Sequence, residues 1–289
     1  MTLLKESPVS AAADKAAAGI RSILVHVEAT PETSPRLHVA VDVARQFDAT
    51  LIGAGVEMLQ TYSDPYGMLG GEWVVELQNL VADNLKRAEA TFKAKSAGLK
   101  TEWTAVETFP AQAMARLSRA ADLIVAGGAP LDAEGNYRAA STAELVMMSG
   151  RPVLVAPPQG GKFHGQAVVV AWKDTRESRR ALADSLPFLK AAKRVVVLEV
   201  CDKDGVADAR IHVSDVVQHL RRHGVEAFGK AVAAPPERVS TELNIEAQAI
   251  EADLIVAGGY GHTRMGEWLF GGVTYDLLHA PERFVLLSH

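Results

Sequence analysis

The sequence contains a single cysteine, Cys201, among its 289 residues. An internal disulfide is therefore excluded, and a reducing compartment suits the chain. Because Cys201 follows an apolar run, we interpret it as the end of a strand in preference to a reactive thiol.

Long apolar runs and an excess of positive charge are also missing. No apolar run approaches the roughly 18 residues of a membrane-spanning helix, and the formal net charge of −5 argues against a large nucleic-acid footprint. Residues 1–20 are rich in alanine and lack the continuous apolar core of a signal peptide. We expect a flexible leader over 1–20, a cytoplasmic protein, and neither a nucleic-acid nor a membrane partner.

Familiar catalytic signatures are absent as well. The sequence has no G-x-x-x-x-G-K-[ST], no G-x-S-x-G, and no G-x-G-x-x-G where a dinucleotide site would need it. His219 and His223 are four residues apart, but the basic Arg221 and Arg222 lie between them, so an exposed basic helix face is favoured over a metal pair. We expect a binding protein without catalytic residues and with at most weak ATPase activity.

The chain contains an internal repeat. The octapeptide ADLIVAGG occurs at 121–128 and again at 252–259, and each copy precedes a helical stretch and a final apolar strand. With 48% hydrophobic and 22% charged residues, the composition is that of a globular protein. We therefore predict two copies of one domain, at 21–157 and 166–289, joined by a linker at 158–165.

Strands and helices alternate in both predicted domains. The predicted strands are 22–28, 50–58, 101–108, 122–127, 152–156, 167–173, 194–201, 225–232, 253–258 and 283–288. The predicted helices are 34–47, 73–97, 111–120, 141–149, 177–190, 207–222, 237–251 and 272–279. Residues 59–72 are predicted to form a long loop. This order predicts an α/β fold with two open, five-stranded parallel sheets covered on both faces, a Rossmann-like or flavodoxin-like layering.

A glycine-rich segment at 258–274 follows the second copy of the repeat. Gly258 and Gly261 leave a strand, and Gly271 and Gly272 open a helix. Glycines let backbone N–H groups approach an anion, and a helix N-terminus adds partial positive charge, so the order suits a phosphate. The alternative is a turn whose glycines serve only tight packing.

This glycine spacing resembles the nucleotide loop of the universal stress protein family. The resemblance extends over the chain from residue 22 and includes Val168–Ser178, which resembles the family's first strand and turn. Two positions depart from the family: Gly272 replaces a Ser or Thr, with Thr274 nearby, and Lys173 replaces an Asp used near the adenosine. The first domain has Glu28 at the latter place.

The resemblance implies a tandem protein with the adenine nucleotide alpha hydrolase-like fold. It implies that ATP, or AMP or ADP, binds to the second domain, with or without Mg²⁺, and that the backbone near Val200 lines the adenine pocket. Lys173 could pair with a phosphate or be a solvated residue at a strand end; Arg264 could reach phosphate oxygens, whereas a mobile surface side chain is favoured for His262. The predicted cofactor-binding set is Lys173, Val200, Gly258, Gly261, Arg264, Gly271, Gly272, Val273 and Thr274.

The loop of the first domain lacks this pattern. After Gly127 and Gly128 it continues with Ala129-Pro130-Leu131-Asp132-Ala133-Glu134, in which proline offers no N–H and two carboxylates would repel phosphate. We therefore predict that the first domain does not bind nucleotide in this way and instead pairs with the second. Family members pair through the last strand of the domain, and the chain is also a candidate for homodimerisation.

These observations predict an adenine-nucleotide-binding module that acts in stress adaptation. The alternative from another class is a nucleotide-independent interaction protein whose glycine loop is a relic of the fold. Lys173 and Gly272 favour that alternative.

Overall fold

The computed structural model describes residues 19–30, 33–58, 71–127, 140–259, 272–279 and 282–289. Within these ranges, strands and helices alternate along the chain. The strands are β1 (Ser22–His26), β2 (Thr50–Glu57), β3 (Thr101–Glu107), β4 (Leu123–Gly127), β5 (Val153–Ala156), β6 (Ala167–Trp172), β7 (Arg194–Cys201), β8 (Phe228–Ala233), β9 (Leu254–Gly258) and β10 (Phe284–Ser288). The helices are α1 (Thr33–Phe47), α2 (Gly71–Lys95), α3 (Pro110–Leu117), α4 (Thr142–Met148), α5 (Arg176–Ala191), α6 (Val206–Arg222), α7 (Val239–Ala249) and α8 (Gly272–His279). None of the described helices is both long and apolar enough to cross a membrane.

The strands form one ten-stranded sheet in the order β3-β2-β1-β4-β5-β10-β9-β6-β7-β8. Every pairing within the first five strands and within the last five is parallel. The predicted α/β fold with two five-stranded parallel units is therefore confirmed. In each half the strand order reverses beside its first strand, between β1 and β4 and between β6 and β9, which is where α/β sheets open a crevice for ligands.

The two halves meet through their last strands. β5 and β10 pair antiparallel, with Leu154 opposite Leu286, which is the pairing that the family resemblance implied. Both strands are fully buried because helices cover both faces of the sheet there.

One hydrophobic cluster crosses the boundary between the halves. The ring of Phe47 on α1 lies 5.2 Å from that of Phe188 on α5. Phe163 contacts Phe188 at 5.7 Å and Phe284 at 5.1 Å, all with edge-to-face geometry. Phe163 lies inside the predicted linker 158–165 and is only 4% exposed. Phe163 is thus part of the core, which the polar and glycine-rich sequence around it did not suggest.

Large and small side chains are exchanged between equivalent strands of the two halves. In the first half, Gly53 pairs with Trp103, and a Cβ on Gly53 would lie 2.7 Å from the ring of Phe92 and 2.8 Å from that of Trp103. In the second half, Val197 pairs with Gly229. The large side chain is on the edge strand β3 in the first half and on the inner strand β7 in the second, so the two copies of the fold are packed by different side chains.

The predicted boundaries differ from the structure mainly at β8 and α7. β8 begins at Phe228, not at 225, and α7 begins at Val239 after a 3₁₀ turn at Pro236–Arg238. Prolines 235 and 236 lack N–H donors, which delays the regular helix. The predicted loop 59–72 ends earlier, because α2 begins at Gly71; residues 59–70 lie outside the described ranges.

Candidate functional site

Three of the predicted site residues lie at one edge of the sheet. β6 ends at Trp172, just before Lys173, and β9 ends at Gly258. Ala171 pairs with Ala257, so Lys173 and Gly258 leave neighbouring strands at the same edge. Val200 is the next-to-last residue of β7, on the other side of β6. Lys173 and Gly258 therefore border the crevice expected between β6 and β9, and Val200 lies one strand further away at the same end of the sheet.

Gly258 packs directly against the first turn of α5. A Cβ at this position would lie 2.6 Å from the backbone carbon of Glu177 and 2.6 Å from the backbone nitrogen of Ser178. Such distances are far shorter than a van der Waals contact, so only glycine fits without moving the helix. This packing explains why a glycine is needed at 258 without any ligand, as expected if the glycines of the turn serve only tight packing. A contact between Gly258 and a phosphate stays a prediction.

The first turn of α5 contains a buried acidic residue, Glu177, that pairs with its neighbour Arg176. The Thr175 hydroxyl caps the helix by accepting a hydrogen bond from the backbone N–H of Ser178 at 3.3 Å. Buried Glu177 pairs with Arg176 across 2.7 Å between Oε1 and Nε. Burial alone would raise the pKa of Glu177, but the hydrogen bonds and the charge of Arg176 lower it overall. This carboxylate therefore remains ionised beside the crevice.

The remaining predicted residues belong to the glycine segment. Gly261, Arg264 and Gly271 lie outside the described residues, as does His262. Gly272 is the first residue of α8, and Val273 is half-buried against the core on the α7 and α8 face. Thr274 is within α8, and its side chain lies outside the description. The structure thus places the helix at the end of the segment where the spacing predicted it.

The equivalent edge of the first half holds a buried network of charges. Glu28 follows β1 at the position of Lys173, and its Oε1 lies 2.6 Å from Nη2 of Arg36 and 3.1 Å from Nδ1 of His26. Arg36 also donates from Nε to the carbonyl oxygen of His26 at 2.9 Å. His26 Nε2 lies 3.2 Å from the carbonyl oxygen of Val56, so both ring nitrogens of the imidazole face acceptors.

Arg36 fills the first-half crevice. A Cβ added to Gly127, at the end of β4, would lie 3.7 Å from Nη1 of Arg36. A small cavity remains there, lined by His26, Arg36, Val125, Ala126, Gly127, Ala140 and Leu145. The residues that follow in this loop, 128–139, lie outside the described ranges. An internal ion pair thus takes up space that in the second half is bordered by Lys173 and Gly258.

Comparisons with known proteins bear on this arrangement. No family model matches the sequence, and no curated protein matches it significantly. The structure is similar to a universal stress protein from Archaeoglobus fulgidus DSM 4304, with a TM-score of 0.67 and 16% identity over 92% of this chain and 95% of that one. It is also similar to a candidate universal stress protein from Pseudomonas aeruginosa UCBPP-PA14, with a TM-score of 0.57 and 15% identity over 93% of each chain. The chain has the tandem universal stress protein fold.

Within this universal stress protein fold, the charges of the first half were the main feature that the sequence interpretation missed. Glu28 was recognised as an acidic residue at the family's Asp position, but its pairing with Arg36 was not. The available signal was an arginine in the first turn of α1 directly before the apolar Leu37, since a buried arginine needs a carboxylate partner.

The Glu28 network predicts an acid-sensitive fold. Burial alone would raise the pKa of Glu28, but its bonds to His26 and Arg36 lower the pKa from 4.5 to about 2. A depressed pKa in the folded state stabilises the protein fully above the unfolded value and loses this effect as the pH falls towards 2. Chemical unfolding at pH 6 and pH 3 should show wild type losing on the order of 2 kcal/mol more than Glu28→Gln over this interval. An equal loss in both proteins would contradict the assignment.

The described residues do not form a metal centre. They contain no group of three or more His, Cys, Asp or Glu side chains placed to hold an ion. The rings of His219 and His223 do approach each other, with centroids 4.6 Å apart near the end of α6. With no third ligand among the described residues, this pair stays assigned to the surface of the helix.

Proposed function

We propose that this chain is a tandem universal stress protein whose second half binds an adenine nucleotide such as ATP, acting as a binding module in stress adaptation. The observation that carries the proposal is the placement of Lys173, Val200 and Gly258 at one carboxyl edge, beside the strand-order reversal of the second half. The glycine spacing of 258–274 supplies the phosphate cradle in this proposal. Lys173, exposed at the end of β6, supplies a cation for the phosphates.

The proposal assigns different roles to the two halves. In the first half, the Arg36 and Glu28 side chains already occupy the crevice with a desolvated ion pair, and a nucleotide would have to displace it. In the second half the corresponding position carries Lys173, with a positive charge suited to a phosphate. One nucleotide per chain is therefore the proposed stoichiometry.

The proposal is tested by calorimetric titration with ATP and Mg²⁺. Wild type should bind one nucleotide, and Gly261→Val should reduce the affinity at least about 100-fold, because a branched side chain would occupy phosphate space and remove charge-assisted hydrogen bonds from backbone N–H groups. Gly128→Val, in the loop of the first half, is the matched control and should leave the affinity unchanged. Circular dichroism must show both variants folded.

Other outcomes select other functions. Two sites per chain would contradict the assigned difference between the halves. Wild type that is folded and binds no nucleotide would favour the nucleotide-independent interaction protein. The packing of Gly258 on α5 is the structural observation in favour of this second candidate, because it explains the first glycine of the spacing without a ligand.

A further inference from the structure

The carboxylate of Glu199 lies near the end of the sheet where Lys173 and Gly258 border the proposed nucleotide site, and it is outside the glycine segment. Glu199 on β7 is only 7% exposed and pairs with Trp172, the residue directly before Lys173. Its two oxygens lie 3.3 and 3.2 Å from Nδ1 of His212 on α6. The charges of Lys173 and Asp174 also act on it, which places it within the electrostatic neighbourhood of the proposed site.

The burial of Glu199 is only partly offset by its neighbours. Loss of hydration raises the pKa of Glu199, and the hydrogen bond from His212 and the charge of Lys173 reduce this rise without cancelling it. On the adjacent strand, Nε1 of Trp172 is buried without a hydrogen-bond partner in the described part of the chain. A buried N–H without an acceptor, and a carboxylate whose loss of hydration is not fully offset, both lower stability, so each calls for an explanation in function.

At the register position of Glu199, a carboxylate occurs only in the half with the intact glycine spacing. Strand register makes the halves equivalent, since Ile23 pairs with Leu51 in the first and Val168 with Val195 in the second, each beside the repeated octapeptide. Counting four residues along β2 and β7 aligns Gly55 with Glu199. The first half therefore has no side chain at this register position. Its buried acidic residues at the same end of the sheet are Glu28, which follows β1 and pairs with Arg36, and Glu57, the last residue of β2, two positions beyond Gly55.

The position of Glu199 in the fold indicates which part of a bound nucleotide its carboxylate would contact. An acidic residue near the carboxyl end of the second strand is the position from which dinucleotide-binding α/β folds accept hydrogen bonds from ribose hydroxyls. The Lys173 ammonium has no acceptor and cannot do this. We propose that Glu199 accepts hydrogen bonds from the ribose of the bound nucleotide, so that the site selects ribonucleotides over 2′-deoxyribonucleotides. This inference rests on the proposed nucleotide binding by the second half.

His212 is the more exposed partner of the Glu199 ion pair. The side chain of His212 is 34% exposed, whereas that of Glu199 is 9% exposed. A ribose hydroxyl approaching from the edge would thus share the carboxylate with the imidazole. His212 then orients the carboxylate, and it is a positioning residue in this scheme.

The test compares ATP with 2′-deoxyATP by calorimetry on the full chain. Wild type should bind ATP about tenfold more tightly or better, the effect of one hydrogen bond to a charged group. In Glu199→Leu the ratio of the two affinities should fall to about one because the acceptor is gone. The matched control is Glu246→Leu: Glu246 is also 7% exposed but pairs with Lys230 on β8, and its loss should leave the ratio unchanged.

The outcomes separate this inference from the function on which it rests. Wild type that binds neither nucleotide overturns both. Wild type that binds ATP without preference, or Glu199→Leu that keeps the preference, overturns the role of Glu199 and leaves nucleotide binding intact. A preference lost in His212→Gln and kept in Glu199→Leu would also overturn it. Should Glu199→Leu fail to fold, Glu199→Gln serves instead, with an expected reduction of the ratio.

Discussion

Replacing Arg36 by methionine should destabilise this protein more than any other single change at a charged residue that we consider. The substitution leaves Glu28 in place, 5% exposed and without its guanidinium partner. Removing one member of a buried ion pair costs about 3–5 kcal/mol, because the remaining charge is uncompensated. The Nε donor to the carbonyl oxygen of His26 is lost as well. Urea unfolding followed by circular dichroism should show this loss directly.

Two controls test whether the cost comes from the orphaned carboxylate. The double variant Arg36→Met with Glu28→Leu should recover most of the lost stability, since both charges are gone and the apolar volume is retained. Lys93→Met removes one side of an exposed ion pair with Glu89 and should change stability by less than about 0.5 kcal/mol. A loss below about 1 kcal/mol in Arg36→Met would show that the network is not a buried ion pair in solution.

The architecture could be predicted from sequence because its signals are local and repeated. Apolar runs such as Leu254–Ala257 identify buried strands without knowledge of their neighbours, and the repeated octapeptide aligns the two halves. Element order then restricts a five-stranded parallel unit to few topologies. Alternation and repetition together were therefore sufficient for the fold class.

The site was harder to predict because it depends on contacts between distant elements. The pairing of Glu28 with Arg36 depends on how α1 packs over the end of β1, and the position of Glu199 depends on the register between β6 and β7. Neither the packing nor the register is encoded in a short motif. The glycine spacing could be recognised, but Gly258 also has a packing role that spacing alone does not distinguish from phosphate binding.

Gly258→Ala should separate these two roles, with Gly127→Ala as the equivalent change in the other half. An added methyl group at Gly258 would lie 2.6 Å from backbone atoms of α5, and backbone at a helix start cannot rotate aside as a side chain can. We expect a loss of about 3 kcal/mol, at the upper end of overpacking costs. At Gly127 the nearest atom is Nη1 of Arg36 at 3.7 Å, an ordinary contact, so alanine there should be tolerated or slightly stabilising.

Measuring ATP affinity on the same two variants decides what Gly258 does. Reduced stability with ATP affinity that is preserved in the folded fraction would assign Gly258 to packing alone, leaving the phosphate to the later part of the segment. Unchanged stability would contradict the contact with Glu177 and Ser178. Unchanged stability with lost affinity would move Gly258 into the phosphate cradle, because only a bound anion would then need the space next to its Cα. The glycine shared by the two copies of the octapeptide would in that case be required for a ligand in the second half only, because Arg36 leaves room for a Cβ at Gly127 in the first.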